Sequence, residues 1–166
     1  NNSFDPKLGK GYGESIILNE AVKNSVLLKD SESFVHVSGR YYIKNFDNFI
    51  KEFISSNSDI FLNISDNLKY SSANIYAGKK IFLTNYVLPE SQKVNDSNNY
   101  FFENCIASAT LKAILDNYKF QIPTTYPIID GIIGTNNKKY KYNIFQKLKL
   151  LFFGKLKHFL FKTKKY

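Results

Sequence analysis

The sequence predicts a layered α/β domain, and three observations carry that prediction. Short β-rich runs, "SFVHVSG", "DIFLNIS" and "SSANIYAG", recur along the chain. Stretches with apolar residues at helical spacing lie before, between and after them. At 166 residues and 43% hydrophobic content, the chain has the size of one domain with one core and some appended segments. Alternating strand and helix patterns pack most simply as layers.

Each element has its own signal. "KGYGESIILNEAVKNSVLLKD" predicts a helix of about four turns beginning near Gly13, with Ile17, Ala21 and Leu28 at helical spacing. "SFVHVSG" is a buried strand that turns at Gly39. Asn45 is the N-cap of a second helix, with Phe46, Phe49, Ile50, Phe53 and Ile54 as its apolar face. "DIFLNIS" and "SSANIYAG" are further strands, the latter ending at Gly78. "KKIFLTNYVLPES" reads as a helix stopped by Pro89. The polar "VNDSNN" becomes a long helix carrying Phe102, Ile106, Ala109, Ala113 and Leu115. "QIPTTYPIIDGIIGTNNKKY" predicts a strand and exposed loops.

The formal charge of +9 is not spread evenly. From Lys138 to Tyr166 there are ten lysines and no acid, whereas residues 1–137 carry 12 Lys, one Arg and all 14 Asp and Glu, a balance of −1. The body is therefore no general polyanion binder, and nucleic acid is not the expected partner. The tail, residues 143–166, places Phe145, Leu148, Phe152, Leu156 and Phe159 on one side of a helical projection. Lys147, Lys149, Lys155 and Lys157 accompany that stripe, Lys155 interrupting it. Such a segment suits the headgroup region of an anionic bilayer, or else a terminal helix packed on the domain with its lysines solvated. The chain starts "NNSFDPK", with no Met and no signal-peptide pattern, and is expected to be the downstream part of a longer polypeptide.

Several constellations are absent: there is no G-x-x-x-x-G-K-[ST], H-E-x-x-H or G-x-S-x-G. One cysteine and two histidines leave little for a structural zinc site, and Cys105 reads as a buried, inert thiol. His36 lies in an apolar strand and reads as a satisfied interior histidine. Three stretches retain chemical interest. In "GKGYGES", Gly11 and Gly13 enter a helix with Glu14 in its first turn, an arrangement that either admits a phosphate to backbone N–H groups or simply makes a turn. In "SGRYY", Gly39, Arg40 and Tyr41 leave the end of a strand. Arg40 is the only arginine among 23 basic residues, and its planar fork suits a diphosphate or a carboxylate partner within the protein. In "NDSNNYFFENC", Asp96 and Glu103 are either general bases or ordinary loop and helix-start acids.

Taken in order, Lys10-Gly11-Tyr12-Gly13-Glu14, Val37-Ser38-Gly39-Arg40-Tyr41 and Tyr100-Phe101-Phe102-Glu103 resemble a pattern in bacterial GT-A-type glycosyltransferases of lipopolysaccharide and capsule synthesis. Residues 131–140 are similar to the glycine-bearing loop that follows in such proteins, and the resemblance covers roughly residues 7–142. It implies a GT-A-like (Rossmann-like) domain over residues 1–142, incomplete at its N-terminus, and a C-terminal amphipathic helix. It further implies a nucleotide-sugar donor and a glycan or glycolipid acceptor, at the inner face of the cytoplasmic membrane. Glu103 would be the catalytic carboxylate, with Asp96 in reserve. Gly11, Gly13, Glu14, Gly39, Arg40 and Tyr41 would line the donor diphosphate. GT-A enzymes usually hold Mg or Mn through an Asp-x-Asp motif, and this chain has Ser38-Gly39-Arg40 in that place. No metal ligand is assigned, and Arg40 is expected to supply the positive charge instead. The alternative from another class is a non-catalytic, membrane-associated interaction domain.

Overall fold

A four-stranded sheet with the order β1-β4-β3-β5 carries the fold, in a computed structural model that describes residues 6–39 and 41–131 together with Phe152, Lys155, Leu156, His158 and Phe159. A 3-10 turn (Pro6–Leu8) leads into α1 (Gly9–Asn24). Ser25 breaks that helix with extended backbone, and its side chain then caps α2 (Val26–Asp30) by accepting from the Leu28 N–H. β1 (Ser33–Val37), β2 (Tyr41–Ile43), α3 (Phe46–Ser56), β3 (Ile60–Phe61) and β4 (Ile75–Lys79) follow. Next come α4 (Lys80–Phe82), a π-helical turn (Leu83–Val87) and α5 (Leu88–Ser91) as one continuous stretch. After a 3-10 turn (Asp96–Asn98) come α6 (Phe102–Leu115), β5 (Phe120–Gln121) and β6 (Ile129–Gly131).

β4 pairs antiparallel with both β1 and β3, and only β3–β5 is parallel. β2 and β6 form a separate antiparallel pair. The period-2 alternation of strand side chains then divides the core between two faces. Phe34, Ile60, Leu62 and Tyr76 join Phe82, Phe102 and Ile106 in the larger cluster, which also takes in Leu18 of α1. Phe61, Ile75 and Ala77 point the other way, to Phe49 and Phe53 of α3 and to Ile43 and Ile129 of the strand pair. The result is a mixed α/β architecture with a mixed sheet, α1, α5 and α6 on one side and α3 with the β2–β6 pair on the other.

Where the structure departs from expectation, the causes are local. α1 begins at Gly9 rather than Gly13, so both Gly11 and Gly13 are helical and Glu14 lies beyond the first turn. Pro89 does not stop its helix, which runs on to Ser91. The π turn just before it widens the spiral where the missing N–H and the proline ring would otherwise collide with an α-helical ladder. Ile54 and Leu115 are exposed, because each faces away from its helix's packed side. Asn45 makes no side-chain cap. Its amide donates to the Tyr126 carbonyl and accepts from the Ile128 N–H, both at 2.8 Å, and so fixes the approach to β6. β2, Tyr41–Ile43, follows the turn at Gly39 as a strand that the sequence reading did not assign. Of the tail, Phe152, Lys155, Leu156, His158 and Phe159 are helical, and His158 Nδ1 lies 2.8 Å from the Ile122 carbonyl. Lys147, Lys149 and Lys157, the boundary at residue 142 and residues 132–140 of the glycine-bearing loop lie outside the described residues.

Glu90 ties the helical layer together. Although only 4% exposed, its carboxylate meets Lys93, Lys112, the Tyr100 hydroxyl and the Ser108 hydroxyl. Burial alone would raise its pKa, but the bonds from Lys112, Lys93 and Ser108 outweigh that and hold it down at about 2. Cys105, fully buried on α6 as expected, is pushed up to about 12 by burial and then by the nearby Glu90 charge. A carboxyl whose folded pKa lies below the unfolded 4.5 contributes stability that is complete above about 4.5 and is lost as pH falls toward 2. Glu90→Gln is therefore expected to cost roughly 1–3 kcal/mol in urea unfolding at pH 7. The cost should shrink when the same titration is run near pH 3.

Candidate functional site

Two of the three chemically interesting stretches meet in one groove. It measures about 600 Å³ and is lined by Lys10, Gly13, Glu14, Ile17, Leu18 and Ala21 of α1, and by His36, Val37, Ser38 and Gly39 of β1 and the turn after it. The helix supplies a stripe at i, i+3, i+4, i+7 and i+8, and the strand supplies its C-terminal end. Gly13, Glu14 and Gly39 are thus brought together, whereas neither Gly11 nor Glu103 is among the lining residues. Arg40, next in sequence, lies outside the described residues.

The floor of this groove is a polar cluster that the sequence did not announce. Glu14 Oε1 and His36 Nε2 are 3.3 Å apart, with side chains 24% and 15% exposed. The Tyr76 ring stacks on His36 with centroids 4.6 Å apart. Glu14 Oε1, His36 Nε2 and the Tyr76 hydroxyl are all buried, and none has a hydrogen-bond partner. The Glu14–His36 contact is close enough for an ion pair but off the line of a hydrogen bond. Burial, then the neighbouring Cys105 and Glu14, drive the Tyr76 phenol well above its ordinary range, so it stays protonated. His36 is thus no satisfied interior residue. Each buried polar group left without a partner costs about 1–3 kcal/mol, and a fold keeps such a cluster where something else gains by it.

The other expected site residues are placed as follows. Gly11 lends no free N–H to an incoming phosphate: it donates to Asp96 Oδ2 at 2.9 Å. Leu8, at the N-cap of α1, offers no side-chain cap, and Asp96 does that work from a distant turn. The approach is so close that a Cβ on Gly9 would sit 2.4 Å from Asp96, and one on Gly11 would sit 2.6 Å from Asp96 Oδ1. Gly9 also has φ +88°, a conformation that favours glycine. These glycines therefore make room for a carboxylate of the protein itself, and Asp96 caps α1 in this structure. Glu103 lies exposed in the first turn of α6, with its carbonyl accepting from the Ser71 N–H. The α6 residue that packs toward His36 is Phe102, at a ring separation of 6.3 Å. Tyr41 lines a neighbouring pocket of about 360 Å³ with Val37, Lys44 and Asp47. Among the described residues, no three His, Cys, Asp or Glu side chains gather to hold a metal ion.

Comparison with family models, curated proteins and solved structures finds no match for this chain.

The Asp96 cap makes a quantitative expectation. Asp96→Ala should cost roughly 0.5–2 kcal/mol in chemical unfolding. Gly11→Ala, which drives a methyl into the carboxylate, should cost roughly 1–3 kcal/mol. In the Asp96→Ala background the Gly11→Ala penalty should fall, since alanine is the better helix former and the closest obstruction is gone, with Phe102 N and Val94 Cγ1 still 3.2 and 3.3 Å from the new methyl. A double-mutant cycle with coupling under about 0.5 kcal/mol would refute the pairing.

Proposed function

We propose that this chain belongs to a nucleotide-sugar-dependent glycosyltransferase with a GT-A-like core, which adds a sugar to a growing envelope glycan such as lipopolysaccharide, lipooligosaccharide or capsule. The observation that carries the reading is the groove itself. Lys10, Gly13 and Glu14, from one motif of the resemblance, face Ser38 and Gly39, from the next, across a cavity of about 600 Å³. In this reading Gly13 and Gly39 let a donor lie close to the backbone, and Lys10 and Arg40 meet its diphosphate. Arg40 supplies the charge that develops on the leaving group.

The tail completes the proposal. Phe152 and Phe159, each helical and seven residues apart in sequence, are 65% and 60% exposed, and ten lysines and no acid occupy residues 138–166. Among the described residues no helix is long and apolar enough to cross a membrane. The segment is read as lying on an anionic lipid surface, holding the groove near a lipid-linked acceptor. The same exposed pair favours a second reading, in which membrane attachment is the whole role and the domain is a non-catalytic interaction module.

The deciding experiment measures nucleotide release from UDP-, GDP- and CMP-sugars by the full natural polypeptide containing this chain. Crude membrane glycolipids serve as acceptor, with and without EDTA. Turnover of one donor that survives EDTA and falls about a hundredfold or more in Arg40→Lys is expected. No release from any donor would favour the interaction module. Co-sedimentation with vesicles containing anionic lipid should fall several-fold at high salt and again in Phe152→Ser/Phe159→Ser.

A further inference from the structure

The groove holds a carboxylate and an imidazole side by side, and the arrangement has a direction. Glu14 Oε1 lies 3.3 Å from His36 Nε2, near enough to pair but out of line for a hydrogen bond in this structure, and His36 Nδ1 likewise makes no hydrogen bond with the described residues. His36 lines the open cavity, with Glu14 and Lys10 on α1 beside it, Tyr76 of β4 stacked on its face and Phe102 of α6 against its edge. Behind Tyr76 stands Cys105. Tyr76 and Cys105 remain protonated, and Glu14 is the carboxyl group beside the ring. A carboxylate at one ring nitrogen and an open second nitrogen make the pattern in which imidazole acts as a base. Contacts of this kind are commonly long or poorly aligned until substrate binds.

We propose that His36 is the proton acceptor of this groove, and that Glu14 is the positioning residue that keeps the ring proton on Nε2. The inference rests on the transferase reading for the identity of the proton donor, a hydroxyl of the acceptor sugar. As that hydroxyl attacks the anomeric carbon of the donor, its proton passes to His36 Nδ1 and its oxygen pair forms the new glycosidic bond. The bond from the anomeric carbon to the diphosphate oxygen breaks, and its electron pair leaves with the nucleoside diphosphate. The base is thus drawn from β1, across the groove from α1, and not from Glu103 on the exposed side of α6.

The test begins with the ring itself. The chain has two histidines, so long-range proton–nitrogen NMR on uniformly ¹⁵N-labelled protein resolves both, and His158→Gln assigns them. At alkaline pH, where imidazoles are neutral, His36 is expected to carry its proton on Nε2, and Glu14→Gln should turn this into a mixture of tautomers. An unchanged amide spectrum serves as the folding control. A proton on Nδ1 in the parent, or the same single tautomer in Glu14→Gln, overturns the proposal whatever the activity. In the turnover assay, His36→Gln should lower kcat by about a hundredfold or more and leave the donor KM within a few-fold. Glu14→Asp should recover part of the loss caused by Glu14→Gln. Turnover that is unaffected by His36→Gln defeats this assignment and leaves the transferase reading standing. The expected tautomers with no donor turned over defeat the transferase reading and leave the dyad in place.

Discussion

The bond from Gly11 to Asp96 is the constraint on which the groove depends. Two elements 85 residues apart in sequence are joined there, and the joint lies at the end of α1 that otherwise has no cap. A helix held at that end cannot slide along the sheet, so Lys10, Gly13 and Glu14 keep their register opposite β1. Asn19, further along α1, donates to the Ser91 hydroxyl at 2.9 Å and fixes the helix a second time, against α5. Two glycines are needed because the carboxylate approaches the helix backbone more closely than any side chain would allow.

Elsewhere the protein takes care of its buried and half-buried polar groups. Glu90 is surrounded by donors, and Asn45 satisfies both ends of its amide against the approach to β6. Glu52 accepts from the Thr124 hydroxyl and from the Thr125 N–H, so a single α3 side chain sets the course of the loop before β6. Against that background three of the four buried side-chain polar atoms without a partner among the described residues gather beside the groove, the fourth being Asp96 Oδ1, and local exceptions of this type occur where a fold serves a ligand or a reaction.

Much of the architecture was legible because periodicity is a local property. α3 and α6 were readable from their apolar spacing, and β1, β3 and β4 from short β-rich runs between turn residues. The errors arose where a distant partner overrode a local signal. Glycine and proline at Gly11 and Pro89 read as helix boundaries, yet Asp96 sustains one helix and a π turn accommodates the other. Ile54 and Leu115 fit the spacing and still face outward, since periodicity cannot say how wide the covering layer is. At the site, Gly13, Glu14 and Gly39 could be singled out from residue type and order. The partnership of Glu14 with His36 and Tyr76 could not, because it is made by strand pairing and helix docking across the fold. The one available hint was the alternation in β1 that sets His36 on the same face as Phe34.

Cys105 has a consequence of a different kind. The chain contains no Trp, and its twelve tyrosines are scattered through several environments, so intrinsic fluorescence gives no single view of the molecule. Its one thiol, by contrast, sits in the first turn of α6 within the larger core, fully buried and held almost wholly in the unreactive protonated form. Alkylation at that sulfur must wait until the helix leaves the sheet. The rate of labelling at neutral pH thus becomes a clock for the opening that frees the start of α6 from the larger core. The protein carries its own reporter of that event.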